Sequence, residues 1–166
     1  MTSKIFSFLF LAGIAFAACA NQGDDSNTIF PNAPSNPDRI KLVQMINELR
    51  ANSVSCGSKQ FSATGNVVWN DTLALVAKRH SEDMLANDKL SHTGTDGSFV
   101  NDRIKAAGYV YTFYAENLLK GSPSEKDAIT AWKGSPAHCE NMMDPNIKEI
   151  GVGTAGPYWT MVLASR

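Results

Sequence analysis

The sequence predicts an α+β fold in which helices cover a central sheet. Segments with helical apolar spacing and cap signals come first and again between the strand-like segments, and the chain closes on two strand-like runs, Ile150–Thr154 and Tyr158–Ala164. The link between those runs, Ala155-Gly156-Pro157, is hairpin-sized, so the sheet is expected to be antiparallel.

Residues 1–18 stand outside that fold. Lys4 precedes an uncharged apolar run from Ile5 to Ala18, too short for a comfortable membrane span and typical of a secretory signal peptide. Small residues around Cys19 allow two exits. One is ordinary cleavage within Ala18-Cys19-Ala20. The other is processing at Ala17-Ala18-Cys19, which resembles a bacterial lipobox, although Phe16 stands where leucine is usual. A cysteine directly after small residues and before a polar segment favours lipidation of Cys19. That would tie the chain to a membrane of the bacterial cell envelope; a secreted or periplasmic protein is the alternative. Residues 19–36 are mostly turn formers and read as a flexible tether. Residues 37–166 have the length of one domain with one core. The formal net charge of the whole chain is −1, and loss of Lys4 makes the exported part slightly more acidic. That balance excludes a nucleic-acid footprint and a strongly basic membrane patch.

Within the domain, Asn36-Pro37-Asp38 reads as cap, first-turn proline and first-turn acid of a helix ending near Asn52, with Leu42, Met45, Ile46 and Leu49 on one face. Val67-Val68-Trp69 leads into a second helix, capped by Asn70 or Asp71 and running to about Asn87. Leu73, Ala74, Val76, Ala77, His80 and Met84 face inward there, so His80 is expected to be a hydrogen-bonded core histidine. Leu90 to Ser98 is dense in turn residues and places His92 on a loop. Ser98 can cap a short helix through Ala107, ended by Gly108. Tyr109 to Asn117 alternates as a strand whose terminus carries Glu116 and Asn117. Ser122-Pro123-Ser124-Glu125 reads as a capping box for a helix through Trp132. In the final strands, Gly151 and Gly153 allow close backbone approach.

The stretch from Ser135 to Met143 has the strongest site character. Ser135 suits the N-cap, with its hydroxyl accepting from a backbone N–H three residues on. Pro136 suits the first helical position. His138 then lies in the first turn, where the helix dipole disfavours an imidazolium and leaves the neutral ring that a metal or a proton donor needs. Three cysteines are odd for an exported chain, but with Cys19 lipidated, Cys56 and Cys139 form a pair. Two separate buried thiols are the alternative. By residue type and placement, His92, Glu116 and His138 end three different elements, and no short spacing ties them together.

In order along the chain, His80-Ser81-Glu82-Asp83-Met84, Ser91-His92-Thr93-Gly94, Arg103-Ile104 with Ala107-Gly108-Tyr109, Ala115-Glu116-Asn117, Trp132, Ser135-Pro136-Ala137-His138, Asn141-Met142-Met143, Ile150-Gly151-Val152-Gly153 and Tyr158-Trp159-Thr160 resemble the CAP superfamily. This group comprises cysteine-rich secretory proteins, antigen 5 and plant pathogenesis-related class 1 proteins, and the chain is most similar to its bacterial SCP-like extracellular branch. The resemblance runs from about Asp38 to Ser165. It implies a three-layer α-β-α sandwich with a central antiparallel sheet and a surface cleft holding two histidines and two acids, able in some members to bind zinc or another divalent cation. His92 and His138 match the histidines and Glu116 the first acid, so His92, His138 and in addition Glu116 are the candidate metal ligands. The second acid is expected three residues after Trp132, where this chain has Ser135.

With one acid missing, a metal-dependent hydrolase is thinly equipped. Hydrolysis at a metal needs about three protein ligands, an open water position and a base. If all three matched residues bind metal, no base remains; if Glu116 is the base, two ligands remain. An unmatched acid, Glu140 or Asp96, would have to enter the cleft. Ser135 as a nucleophile with His138 as base conflicts with its capping role. The expectation is therefore a non-enzymatic binding module, a monomer whose cleft takes a divalent metal, a lipid, or a peptide or protein ligand. The alternative is a metal-dependent hydrolase or peptidase of the cell envelope.

Overall fold

Strand β6 (Tyr158–Ser165) is buried along its whole length, because helices cover both faces of the sheet it centres. The computed structural model describes residues 36–122 and 124–166. The expected signal peptide, Cys19 and the tether up to residue 35 lie outside the described residues, as does Pro123. The described elements are α1 (Arg39–Arg50), β1 (Val54–Cys56), β2 (Lys59–Phe61), β3 (Val68–Trp69), α2 (Asp71–Ala86), α3 (Val100–Ala106), β4 (Phe113–Lys120), α4 (Glu125–Gly134), α5 (Pro136–Met143), β5 (Glu149–Ala155) and β6.

The sheet order is β3-β5-β6-β4, with β5–β6 and β6–β4 antiparallel. Side chains alternate along β6. Trp159, Met161 and Leu163 pack with residues of α1, α4 and α5, while Val162 and Ala164 pack with Leu73, Val76 and Ala77 of α2 and Ile104 of α3. The result is the expected α-β-α sandwich, with α2 and α3 on one face and α1, α4 and α5 on the other. The short β3, read from sequence only as a lead into α2, pairs with β5 in parallel, and the connection between them runs through α2, α3, β4, α4 and α5. A small hairpin, β1–β2, turns at Gly57 (φ 62°) and had no clear sequence signal.

Several boundaries differ from expectation, each for a local reason. Asp38, not Asn36, caps α1, accepting from the N–H groups of Ile40 and Lys41. Of the two expected caps of α2, Asn70 is the one used, accepting from the N–H of Leu73. Helix α3 starts at Val100 after Phe99, whose N–H donates to Asp102, and Ser98 instead offers its carbonyl to Gly94 and Arg103. Gly108 ends it at φ 77°. Ser124, not Ser122, caps α4 through the N–H of Asp127, while the Ser122 carbonyl accepts from Trp159 Nε1. Strand β4 is shifted toward the C-terminus relative to the expected Tyr109–Asn117. The ladder with β6 runs from Phe113↔Ser165 to Lys120↔Tyr158, so the length of β6 sets the limits of β4. Tyr109 is buried outside the ladder and donates its hydroxyl to Glu149. Glu116 and Asn117 therefore lie in mid-strand and not at a strand terminus.

Two constraints, one covalent and one steric, hold the layers. The Cys56–Cys139 disulfide is formed, with Cα atoms 5.5 Å apart, and ties the β1–β2 hairpin to α5. On the opposite face, α2 lies so close to β5 that a Cβ on Gly151 would sit 2.0 Å from the backbone N of Ala74, and one on Gly153 2.1 Å from that of Lys78. Gly153→Ala is expected to destabilise by about 3 kcal/mol or more, since backbone and not a flexible side chain must move. Thermal unfolding should show a fall of about 10 °C or more; an unchanged midpoint would refute the close packing. Cys56→Ser with Cys139→Ser removes a cross-link over 83 residues of sequence. It should lower stability by up to about 4–5 kcal/mol in denaturant titration.

Candidate functional site

The site forms where the two helical layers meet over the edge strand β4. Alternation along β4 sends Glu116, opposite Val162, to the α2/α3 face and Asn117, opposite Met161, to the α5 face. Glu116 is almost fully buried, its side chain 2% exposed, and both its oxygens are engaged. Oε2 accepts from His92 Nδ1 at 2.8 Å and Oε1 from Arg103 Nη2 at 2.6 Å. A carboxylate can only accept, so His92 carries a proton on Nδ1, and in the neutral ring Nε2 is left bare. The His92 side chain is 60% exposed, so that bare nitrogen belongs to the solvent-facing part of the site.

His138 stands on the other layer, near enough to His92 to feel its charge. Asn117 Nδ2 donates to the His138 carbonyl at 3.0 Å, and Asn141 Nδ2 donates to Asn117 Oδ1 at 2.8 Å, fixing α5 against β4. Arg50, fully buried from α1, donates to the carbonyls of Met142, Asp144 and Ile147 and so holds the C-terminal end of the same helix. Burial, with the charge of His92 as a smaller contribution, pushes the His138 imidazole below its ordinary range, so the ring is neutral near pH 7. The three residues expected from sequence thus converge, but in unequal roles. His92 and His138 present imidazoles, whereas Glu116 holds His92 from below.

Other expectations are corrected here. Ser135 closes α4 and opens α5, and its side chain makes no capping hydrogen bond. The abutting helices leave that position to the backbone, with Cys139 N donating to the Ser135 carbonyl at 2.9 Å. The nucleophile reading of Ser135 fails on a different ground, because Glu116 is committed to His92 and Arg103 and does not orient His138. The unmatched acids do not replace the missing carboxylate either. Glu140 pairs with Lys59 at 2.8 Å, and Asp96 accepts from the N–H of Ser98. His80 is the expected core histidine, 1% exposed, with Nε2 at 2.8 Å from the Ser91 carbonyl.

Arg103 was missed as a site residue. Nothing in its spacing marks it, because its role arises from α3 folding back over the 91–98 loop. For a divalent cation, the donors fit in part: two imidazoles are available, with Glu116 orienting one of them, but Glu116 as a direct ligand does not fit. Among the described residues no group of three or more His, Cys, Asp or Glu side chains is placed to hold one metal ion.

A profile of the cysteine-rich secretory protein family, CAP, matches residues 43–158, and the chain belongs to this family. It is similar to an uncharacterized Bacillus subtilis protein, YkwD, at 31% identity over 93 residues, covering 55% of this chain and 36% of that protein. It is also similar to an uncharacterized membrane protein of the same organism, YlbC, at 24% identity, covering 83% and 40%. The chain therefore spans well under half the length of these relatives. In fold it resembles an extracellular SCP-domain protein from Bacillus anthracis (TM-score 0.63, 21% identity, covering 81% of this chain and 45% of that one). It likewise resembles an outer surface protein from Borrelia burgdorferi (TM-score 0.59, 20% identity, covering 77% and 89%). No helix among the described residues is long and apolar enough to cross a membrane.

Burial is the first cause of lowered basicity at both His80 and His138. The unfolded chain therefore takes up their protons first as pH falls, and folding stability should decline from about pH 6.5 downward. The slope of melting temperature between pH 7.5 and 5 should be shallower in His138→Gln than in the parent; an identical slope would contradict the shift.

Proposed function

We propose that the chain is an exported, non-enzymatic binding module whose ligand meets the paired imidazoles of His92 and His138. The engagement of both Glu116 oxygens carries this reading. A carboxylate that accepts from histidine Nδ1 while the bare Nε2 points outward is the arrangement that orients an imidazole toward a metal or a hydrogen-bond donor. The same engagement withdraws Glu116 from service as a general base, which counts against the hydrolase alternative. Zinc or another divalent cation is the first candidate ligand. Two imidazoles would be its protein ligands, and the remaining positions would be open to water or to a second molecule such as a peptide or lipid headgroup. Export is supported by the extracellular and outer-surface proteins that share the fold. Attachment through lipidated Cys19, upstream of the described domain, is the corresponding localisation.

Calorimetric titration of the purified protein with zinc is expected to give a micromolar dissociation constant, about −8 kcal/mol. Binding should be lost in His92→Ala and in His138→Ala, and weakened about 10- to 100-fold in Glu116→Gln. No turnover of peptide or ester substrates is expected with the metal present. Zinc binding untouched by either histidine variant would place the metal elsewhere, and turnover abolished by Glu116→Gln would restore the hydrolase.

A further inference from the structure

Two buried polar atoms on separate elements lack partners, and they are complementary. Among the described residues, His80 Nδ1 and Arg103 Nε are the buried side-chain nitrogens or oxygens without a hydrogen bond. His80 Nε2 faces the Ser91 carbonyl, which only accepts, so Nε2 carries the proton and Nδ1 is a bare acceptor. Arg103 Nε carries a hydrogen and is a bare donor. Buried groups of this kind require an account, since each costs free energy when left unpaired.

Their surroundings supply one. His80 holds the carbonyl of Ser91, the residue immediately before His92. Arg103 donates to the carbonyl of His92 itself from Nη1 and Nη2, both at 3.3 Å, to the Ser98 carbonyl at 2.8 Å, and to Glu116 Oε1. The loop that carries His92 is thus gripped at two successive carbonyls by His80 and Arg103, and the partner of its ring is held by Arg103. The charges of Glu116 and Arg103 both act on the His80 ring, so the three groups lie within electrostatic reach of one another.

We propose that His80 and Arg103 are a positioning pair that fixes the tautomer and aim of His92, a small side-chain adjustment letting Arg103 Nε donate to His80 Nδ1. His92 is thereby held with Nδ1–H on Glu116 and Nε2 turned outward. The pair acts through loop and carboxylate and touches no ligand. This inference rests on the binding-module reading only for what His92 then meets, because the orientation of His92 exists without a ligand.

The test is long-range proton–nitrogen NMR of the three histidine rings in the full chain, near pH 8 and free of metal and ligand. In the parent protein His92 is expected as the Nδ1–H tautomer, opposite to the Nε2–H form that an unconstrained neutral histidine favours. In His80→Gln the side-chain amide can donate to the Ser91 carbonyl and accept from Arg103 Nε, and His92 should keep Nδ1–H. In His80→Asn the amide is too short to reach the Ser91 carbonyl, and in Arg103→Met the grip is removed, so both should revert His92 toward Nε2–H. Retention of Nδ1–H in folded His80→Asn, or its loss in folded His80→Gln, would overturn the proposal. If Arg103→Met does not fold, the Gln and Asn pair decides alone. Absence of zinc binding in a parent protein that shows Nδ1–H would instead count only against the binding reading.

Discussion

The near contact between the backbone of α2 and strand β5 is the constraint from which the rest of the structure follows. Gly151 and Gly153 present no Cβ toward α2, so the helix lies directly on the sheet, and Ser81 donates to the Gly153 carbonyl at 3.0 Å to hold it there. Seating α2 at that depth buries His80 beneath the 91–98 loop and brings α3 over the loop's outer side. A larger residue in β5 would lift α2, and with it the platform on which His92 stands.

The opposite layer is located by different chemistry. The disulfide from Cys139 to Cys56, the buried Arg50 at the C-terminal carbonyls of α5, and the Asn117–Asn141 contacts fix the helix of His138 against β4. Each imidazole is thus delivered by a layer with its own anchors, and the edge strand β4 contacts both with two adjacent residues. Because alternation places Glu116 and Asn117 on opposite faces, two adjacent residues serve the two layers separately. Glu116 sets the His92 ring, while Asn117 sets the backbone of His138.

Charge arrangement at the site favours a neutral His138 imidazole and a neutralised acid. Arg103 offsets the buried Glu116 carboxylate, which would otherwise be costly so far from water. His138 is kept uncharged by burial and by the nearby His92. The site holds its one carboxylate inward, engaged by His92 and Arg103.

The sequence by itself determined the helix-covered sheet, the apolar strand β6, a cap at the start of α2 and at Gly108, the core placement of His80 and the pairing of Cys56 with Cys139. Those follow from periodicity, capping chemistry and residue counting, which act over a few residues or need no geometry. It also marked His92, Glu116 and His138, through residues resembling the CAP pattern. The tertiary structure alone decided what those residues do. The limits of β4 came from the length of β6, which no local pattern encodes, and this moved Glu116 from a strand end to mid-strand. The roles of Arg103 and of the Ser135 backbone came from helices folding against loops and against each other. Hydrogen bonds between residues 24 apart, as between His92 and Glu116, depend on how separate elements pack, and linear spacing carries no record of that.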